Sequence, residues 1–182
     1  MAGAENIKPY HNSDAEKKEQ VAEMFNNISK RYDLLNHLLS LNIDKGWRRK
    51  VVNLVKADEP KVILDVATGT ADLAIALAKG TGARITGADI SEGMLDVGRV
   101  KVAKKGLHKS IVLELGDSEN LPYANDTFDA ITVAFGVRNF QNLHNGLKDM
   151  ARVLKPGGQI VVLEFSQPRY FPFKQIYWLY FK

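Results

Sequence analysis

The 182-residue chain has no cysteine, which excludes disulfides, thiolate metal sites and a cysteine nucleophile. Histidine is scarce too: His11, His37, His108 and His144 are scattered without metal-ligand spacing, so no metal is expected. No apolar run approaches membrane-spanning length, and the N-terminus lacks the apolar core of a signal peptide. A cytoplasmic protein is the default expectation. Charge of one sign is nowhere blocked. The 25 basic and 21 acidic residues are interleaved, for a net charge of +4, which argues against nucleic acid as the main partner. At 45% hydrophobic and 25% charged, the composition fits one ordinary globular domain.

What is present is organised around Lys61-Val-Ile-Leu-Asp-Val-Ala-Thr-Gly-Thr-Ala-Asp72 and, shortly after, Ile85-Thr-Gly-Ala-Asp89. A short apolar run ends in Asp65, a small-residue turn (Ala67, Thr68, Gly69, Thr70) follows, and a helical run starts at Asp72. A second apolar run then ends in Asp89. This is a strand–turn–helix–strand unit with a carboxylate at the second strand tip, placed to bind the hydroxyls of a ribose. A dinucleotide fold would need G-x-G-x-x-G so that backbone can approach a pyrophosphate. This loop has one glycine, Gly69, and acids at Asp65 and Asp72, which would repel a pyrophosphate. An acid-rimmed loop suits a cationic, phosphate-free nucleoside, and S-adenosylmethionine is the expected cofactor.

The remaining chain extends that unit. Ser13-Asp-Ala-Glu16 reads as a capping box, followed by an amphipathic helix through Val21, Met24, Phe25 and Ile28. Tyr32–Asn36 with Leu38-Leu39-Ser40 forms a second helical piece. A third runs from about Asp44 to Lys56, with Trp47, Val51, Leu54 and Val55 on one side. This N-terminal part, residues 1–58, is expected to cap the sheet or cover the site as a lid, with residues 59–182 forming the cofactor-binding α/β portion of one structural domain. Strands are expected near 84–88, 111–115, 128–135 and 159–165, with helices at about 72–79, from Ser91 to Lys104, and through Leu143, Leu147, Met150 and Leu154. Lys155-Pro-Gly-Gly158 reads as a tight turn. Alternating strands and helices predict a parallel, doubly wound sheet with a Rossmann-like arrangement.

Ligands bind beyond the carboxyl ends of such strands. The tips supply Asp65, Thr68, Gly69 and Thr70, then Asp89, then Asp117 and Ser118, then Gly136-Val-Arg-Asn139. Asp89 is expected on the ribose and Asp117 on the adenine amino group, with a turn cap as the alternative for Asp117. Arg138 and Asn139 lie where a substrate oxyanion could be held beside the methyl group; the alternative for Arg138 is a surface ion pair.

Tyr32-Asp33-x-Leu35-Asn36, Ser40 and Trp47 resemble one signature of the ubiquinone/menaquinone biosynthesis C-methyltransferase family (UbiE/MenG type). Arg152-Val-Leu-Lys-Pro-Gly-Gly-x-Ile160 through Leu163-Glu164-x-Ser166 resembles the other, and Phe135-Gly-Val-Arg-Asn139 also matches. The resemblance runs from about residue 20 to the C-terminus. Two positions depart from it: Asp44 stands where a histidine is usual, and Ala71 where a glycine is usual. Ala71 is expected to be tolerated if that position is already helical, at the cost of a tighter pocket.

The resemblance implies a class I methyltransferase fold and methylation of a ring carbon on a prenylated hydroquinone: demethylmenaquinol, and in some members a benzoquinol precursor of ubiquinone. It implies that Arg138 and Asn139 hold or polarise the reacting hydroxyl, and that Tyr32, Asp33 and Asn36 line the quinol pocket. It allows peripheral contact with a membrane and homodimerisation. Related methyltransferases continue past strand 5, so the C-terminal strands are expected to be missing, and the aromatic stretch from Pro168 to Phe181 is expected to begin a helix that guides the prenyl chain or covers the core. Two alternatives remain open: a cofactor-binding module without turnover, and a small-molecule O-methyltransferase.

Overall fold

In the computed structural model the described residues are 9–10, 15–39 and 43–164, with the side chains of 33–39 excepted. Ser13 of the expected capping box, Ser40 and the aromatic stretch after Glu164 lie outside them.

Two helices precede the sheet, α1 (Lys17–Leu39) and α2 (Ile43–Lys56). The two helical pieces expected before residue 40 are one continuous helix, because nothing between Ile28 and Tyr32 breaks the pattern. In α2 the buried positions are Asp44, Val51, Val52 and Val55, while Leu54 is 59% exposed. The expected apolar side was therefore misplaced by part of a turn. At 100° per residue Val52 falls on the Asp44–Arg48–Val55 side and Leu54 on the opposite flank.

The sheet holds β1 (Val62–Val66), β2 (Arg84–Asp89), β3 (Ile111–Leu115), β4 (Phe128–Ala134) and β5 (Leu154–Leu163). Its order is β3-β2-β1-β4-β5, every pairing parallel. Helices α3 (Asp72–Thr81), α4 (Glu92–Lys104) and α5 (Leu143–Val153) make the crossovers. Alternate strand residues supply two cores. Ile63, Ile85 and Leu113 pack with Val51, Val55, Leu73, Leu77 and Leu95 beneath α2, α3 and α4. Leu64, Val66, Ile131 and Val133 pack with Met150 and Val153 of α5. The strand order reverses between β1 and β4, which opens a crevice above their carboxyl ends.

Lys155–Gly158 is not a free turn. It lies within β5 as an irregularity, with Leu154 opposite Phe128 and Gln159 opposite Ala130. Gly157 takes φ +81, and a Cβ on Gly158 would come within 2.6 Å of the Asp129 carbonyl oxygen. Lys155 Nζ ties the bulge to Asp129 Oδ1 at 2.7 Å.

Candidate functional site

A cleft opens at that crevice. One end is acidic, formed by Gly69 after β1, Asp89 at the tip of β2, and Asp117, Ser118 and Glu119 after β3. Aromatic lining comes from Phe135 and Phe140, with Asn139, after β4, and from Phe25 and Tyr32 of α1. Phe25 and Tyr32 meet edge to face at 5.9 Å, and Phe135 is backed by Trp47 of α2 at 6.2 Å.

Asp89 is 8% exposed, and its carboxylate is the centre of the acidic end. Its Oδ2 accepts the Gly69 N–H at 2.8 Å and its Oδ1 the Ser91 N–H at 2.9 Å. Burial pushes its pKa up from the ordinary value, and the backbone donors oppose the shift. Asp117 Oδ1 accepts the Glu119 N–H at 2.9 Å as a turn cap, and its Oδ2 pairs with Lys18 at 3.6 Å. The two roles weighed for Asp117 are compatible, since the capped carboxylate still borders the cleft.

Four expected contacts sit elsewhere. Asp65 is buried beneath the cleft, and its oxygens are taken by Thr68 Oγ1 (2.7 Å) and Thr132 Oγ1 (2.6 Å). Burial, with a contribution from the Asp89 charge, raises its pKa to about 6 against the pull of both hydroxyls. Thr68 and Thr70 are buried with it and do not line the cleft. Arg138 turns its guanidinium away to Glu164 Oε1 at 2.7 Å. Asp72 likewise fails as a rim acid, because Arg48 and Lys101 pair with it. The side chains of Asp33 and Asn36 lie outside the described residues.

The condition set for Ala71 is not met: it precedes the helix as a left-handed residue at φ +65. A left-handed alanine costs roughly 1–2 kcal/mol, and its buried methyl packs beside Gly98. Ala67, Gly69 and Phe135 share positive φ in the loops after β1 and β4. A Cβ on Gly136 would meet the Ala67 Cβ at 2.5 Å.

Sequence reasoning missed Lys18, Phe25, Phe135 and Phe140 as lining residues. Phe25 reads as an ordinary core position of an amphipathic helix. The signal available for Phe135 was its place at a strand tip beside Gly136.

The acidic end fits a nucleoside carrying positive charge and no phosphate. It presents carboxylates where a dinucleotide site would present free N–H groups, and the Gly69 N–H is already taken by Asp89.

A model of the ubiE/COQ5 methyltransferase family matches residues 13–182. A demethylmenaquinone methyltransferase of Bacteroides fragilis is 52% identical over 179 residues, covering 98% of this chain and 73% of the relative. A ubiquinone/menaquinone biosynthesis C-methyltransferase of Geobacter sulfurreducens is 48% identical over 168 residues, covering 91% and 66%. Among solved structures, a SAM-dependent methyltransferase from Aquifex aeolicus superposes with a TM-score of 0.61 at 24% identity, covering 68% of this chain and 66% of that one. The [4+2]-cyclase SpnF superposes with a TM-score of 0.74 at 22% identity, covering 86% and 64%. These two show a shared fold alone, which hosts more than one chemistry.

Proposed function

The chain belongs to the ubiE/COQ5 methyltransferase family, and on that premise we propose that it methylates a ring carbon of a prenylated hydroquinone, demethylmenaquinol first, with S-adenosylmethionine as methyl donor. The observation that supports this reading is a single cleft that combines acidic lining after β2 and β3 with aromatic lining from α1 and from the segment after β4.

Bound at the acidic end, S-adenosylmethionine supplies an electrophilic methyl on a sulfonium and leaves as S-adenosylhomocysteine. Asp89 accepts from the ribose hydroxyls, Asp117 and Ser118 meet the adenine, and the Gly69 turn faces the amino-acid portion. Asp65, Thr68 and Thr70 act one layer below, fixing the turn rather than touching the ligand. The aromatic lining of Phe25, Tyr32, Phe135 and Phe140 holds the quinol ring. Asn139 is the polar group placed to polarise the reacting hydroxyl, whose lost proton directs electron density onto the ring carbon. Arg138 supports that turn through its ion pair with Glu164. Asp33 and Asn36 are kept as quinol-side residues on the motif alone. The N-terminal helices roof the cleft as the cap to the α/β portion. A prenylated substrate brings peripheral contact with a membrane, and no described helix is long and apolar enough to cross one.

Calorimetry with S-adenosylmethionine followed by mass spectrometry of a demethylmenaquinol incubation tests the reading. A carbon-methylated product supports it. Binding without product leaves a cofactor-binding module, and an oxygen-methylated product replaces the assignment.

A further inference from the structure

Helix α1 crosses the mouth of the cleft and is fixed at two points separated by about 14 Å of helical rise. At the first, the buried Lys17 ammonium donates to the carbonyl oxygens of Phe140 (2.9 Å) and Arg138 (3.4 Å). At the second, Asn26 Oδ1 accepts from Ser91 Oγ (2.7 Å) and from the Gly93 N–H (2.9 Å). Val21 and Phe25, between the two, line the cleft.

The second point is chemically specific. Helix α4 leaves donors unsatisfied at its N-terminus. Its own N-cap, Ser91, uses its hydroxyl oxygen to accept the Met94 N–H at 3.2 Å, so the Gly93 N–H is met from a different helix. Asn26 also fixes the Ser91 hydroxyl as a donor, which leaves its lone pair turned toward Met94. The approach depends on Gly93 having no side chain: a Cβ there would lie 3.1 Å from Asn26 Oδ1 and 3.3 Å from Asn26 Cα. Ser91 in turn donates its backbone N–H to Asp89 Oδ1 at 2.9 Å. An unbroken chain of hydrogen bonds therefore links the roof of the cleft to its central carboxylate.

We infer that Asn26 is a positioning residue for the methyl donor: by capping α4 from α1 it holds Ser91, and through Ser91 the Asp89 carboxylate, in its binding orientation while α1 is closed. The inference rests on reading the acidic end as the S-adenosylmethionine site. It makes donor retention and roof closure a single event, because both draw on the Asn26 side chain.

The test is S-adenosylmethionine affinity by calorimetry and its dissociation rate by stopped flow, on the full chain. Asn26→Ala should raise Kd roughly tenfold, mostly through faster dissociation, while kcat at saturating donor holds. Asn26→Asp keeps the acceptor, at a helix N-terminus that favours a carboxylate, and should restore the wild-type rate. Gly93→Ala keeps the Asn26 side chain but pushes it and α1 off the N-terminus of α4, and should reproduce the Asn26→Ala effect, which keeps the test open if Asn26→Ala folds poorly. Wild-type dissociation from both Asn26→Ala and Gly93→Ala would overturn the inference, as would Asn26→Asp releasing donor as fast as Asn26→Ala. A wild-type protein that binds no S-adenosylmethionine overturns the cofactor reading instead.

Discussion

Asp89 holds the fold with both carboxylate oxygens and, in the proposed reading, offers the same two oxygens to the ribose. It anchors the Gly69 turn and the entry to α4, and it still borders the cleft. Asp89→Ala should cut S-adenosylmethionine affinity by about 100-fold or more, since charge-assisted bonds contribute roughly 1.5–3 kcal/mol each; calorimetry reads this directly. Asn139→Ala should leave that affinity alone and lower kcat by roughly 10²-fold, the usual effect of removing one oxyanion donor. Unchanged turnover would remove Asn139 from the chemistry. At this scale the sequence was half legible. Spacing put Asp89 at a strand tip, and the structure brings it together with Gly69, Asp117, Ser118, Asn139 and Tyr32. Spacing could not choose partners. Asp65 is claimed by Thr132 from a strand 67 residues away, Asp72 by Arg48 and Lys101, and Arg138 by Glu164. Each pairing is set by sheet order, which no local pattern encodes.

The elements were more readable than their joints. Apolar runs ending in small residues or acids identified the five described strands, and the helices α3, α4 and α5 between strands favour their parallel pairing. The errors fall where backbone conformation is decided by packing: the left-handed Ala71, the bulge at Lys155–Gly158, and the α2 flank carrying Leu54. The loops after β1 and β4 are the clearest case, because their contact at Ala67 and Gly136 exists only once β1 and β4 are neighbours. Gly136→Ala forces a methyl into that contact. It should cost roughly 1–3 kcal/mol in denaturant unfolding, as overpacking does. It should also lower kcat more than donor affinity, because the displaced loop carries Phe135 and Asn139 rather than Asp89. A variant with normal stability would show that the two loops part without penalty.

The whole molecule determines what Asp65 can be. It ends the central strand of a sheet covered on both faces, so its carboxyl is fully enclosed and its pKa rises from 3.8 to about 6. Between those values the folded chain binds more protons than the unfolded one, so stability falls as pH climbs from about 4 to about 6 and is level above. The gap corresponds to roughly 3 kcal/mol. Asp129 beside Lys155 and Asp149 beside Arg152 have lowered pKa values and act with the opposite sign. Their contribution is present above the ordinary carboxylate value and is lost only as pH drops through their folded values, below the Asp65 window. Asp65→Asn keeps both threonine partners and removes the charge. Urea unfolding from pH 4 to 8 should show a shallower decline than the wild type, the remainder belonging to Asp89, whose pKa burial also raises, and a stability higher at pH 7 by up to about 3 kcal/mol. An unchanged slope would place the titration in another group. A chain that keeps so costly an anion gains from it elsewhere, as destabilising groups at functional sites generally do. The gain expected here is electrostatic: a negative charge beneath the Gly69 turn favours a cationic ligand over a neutral one of the same shape. Asp65→Asn should therefore weaken S-adenosylmethionine, which carries the sulfonium, while leaving S-adenosylhomocysteine affinity nearly unchanged. Equal weakening of the two would mean that Asp65 shapes the turn and nothing more.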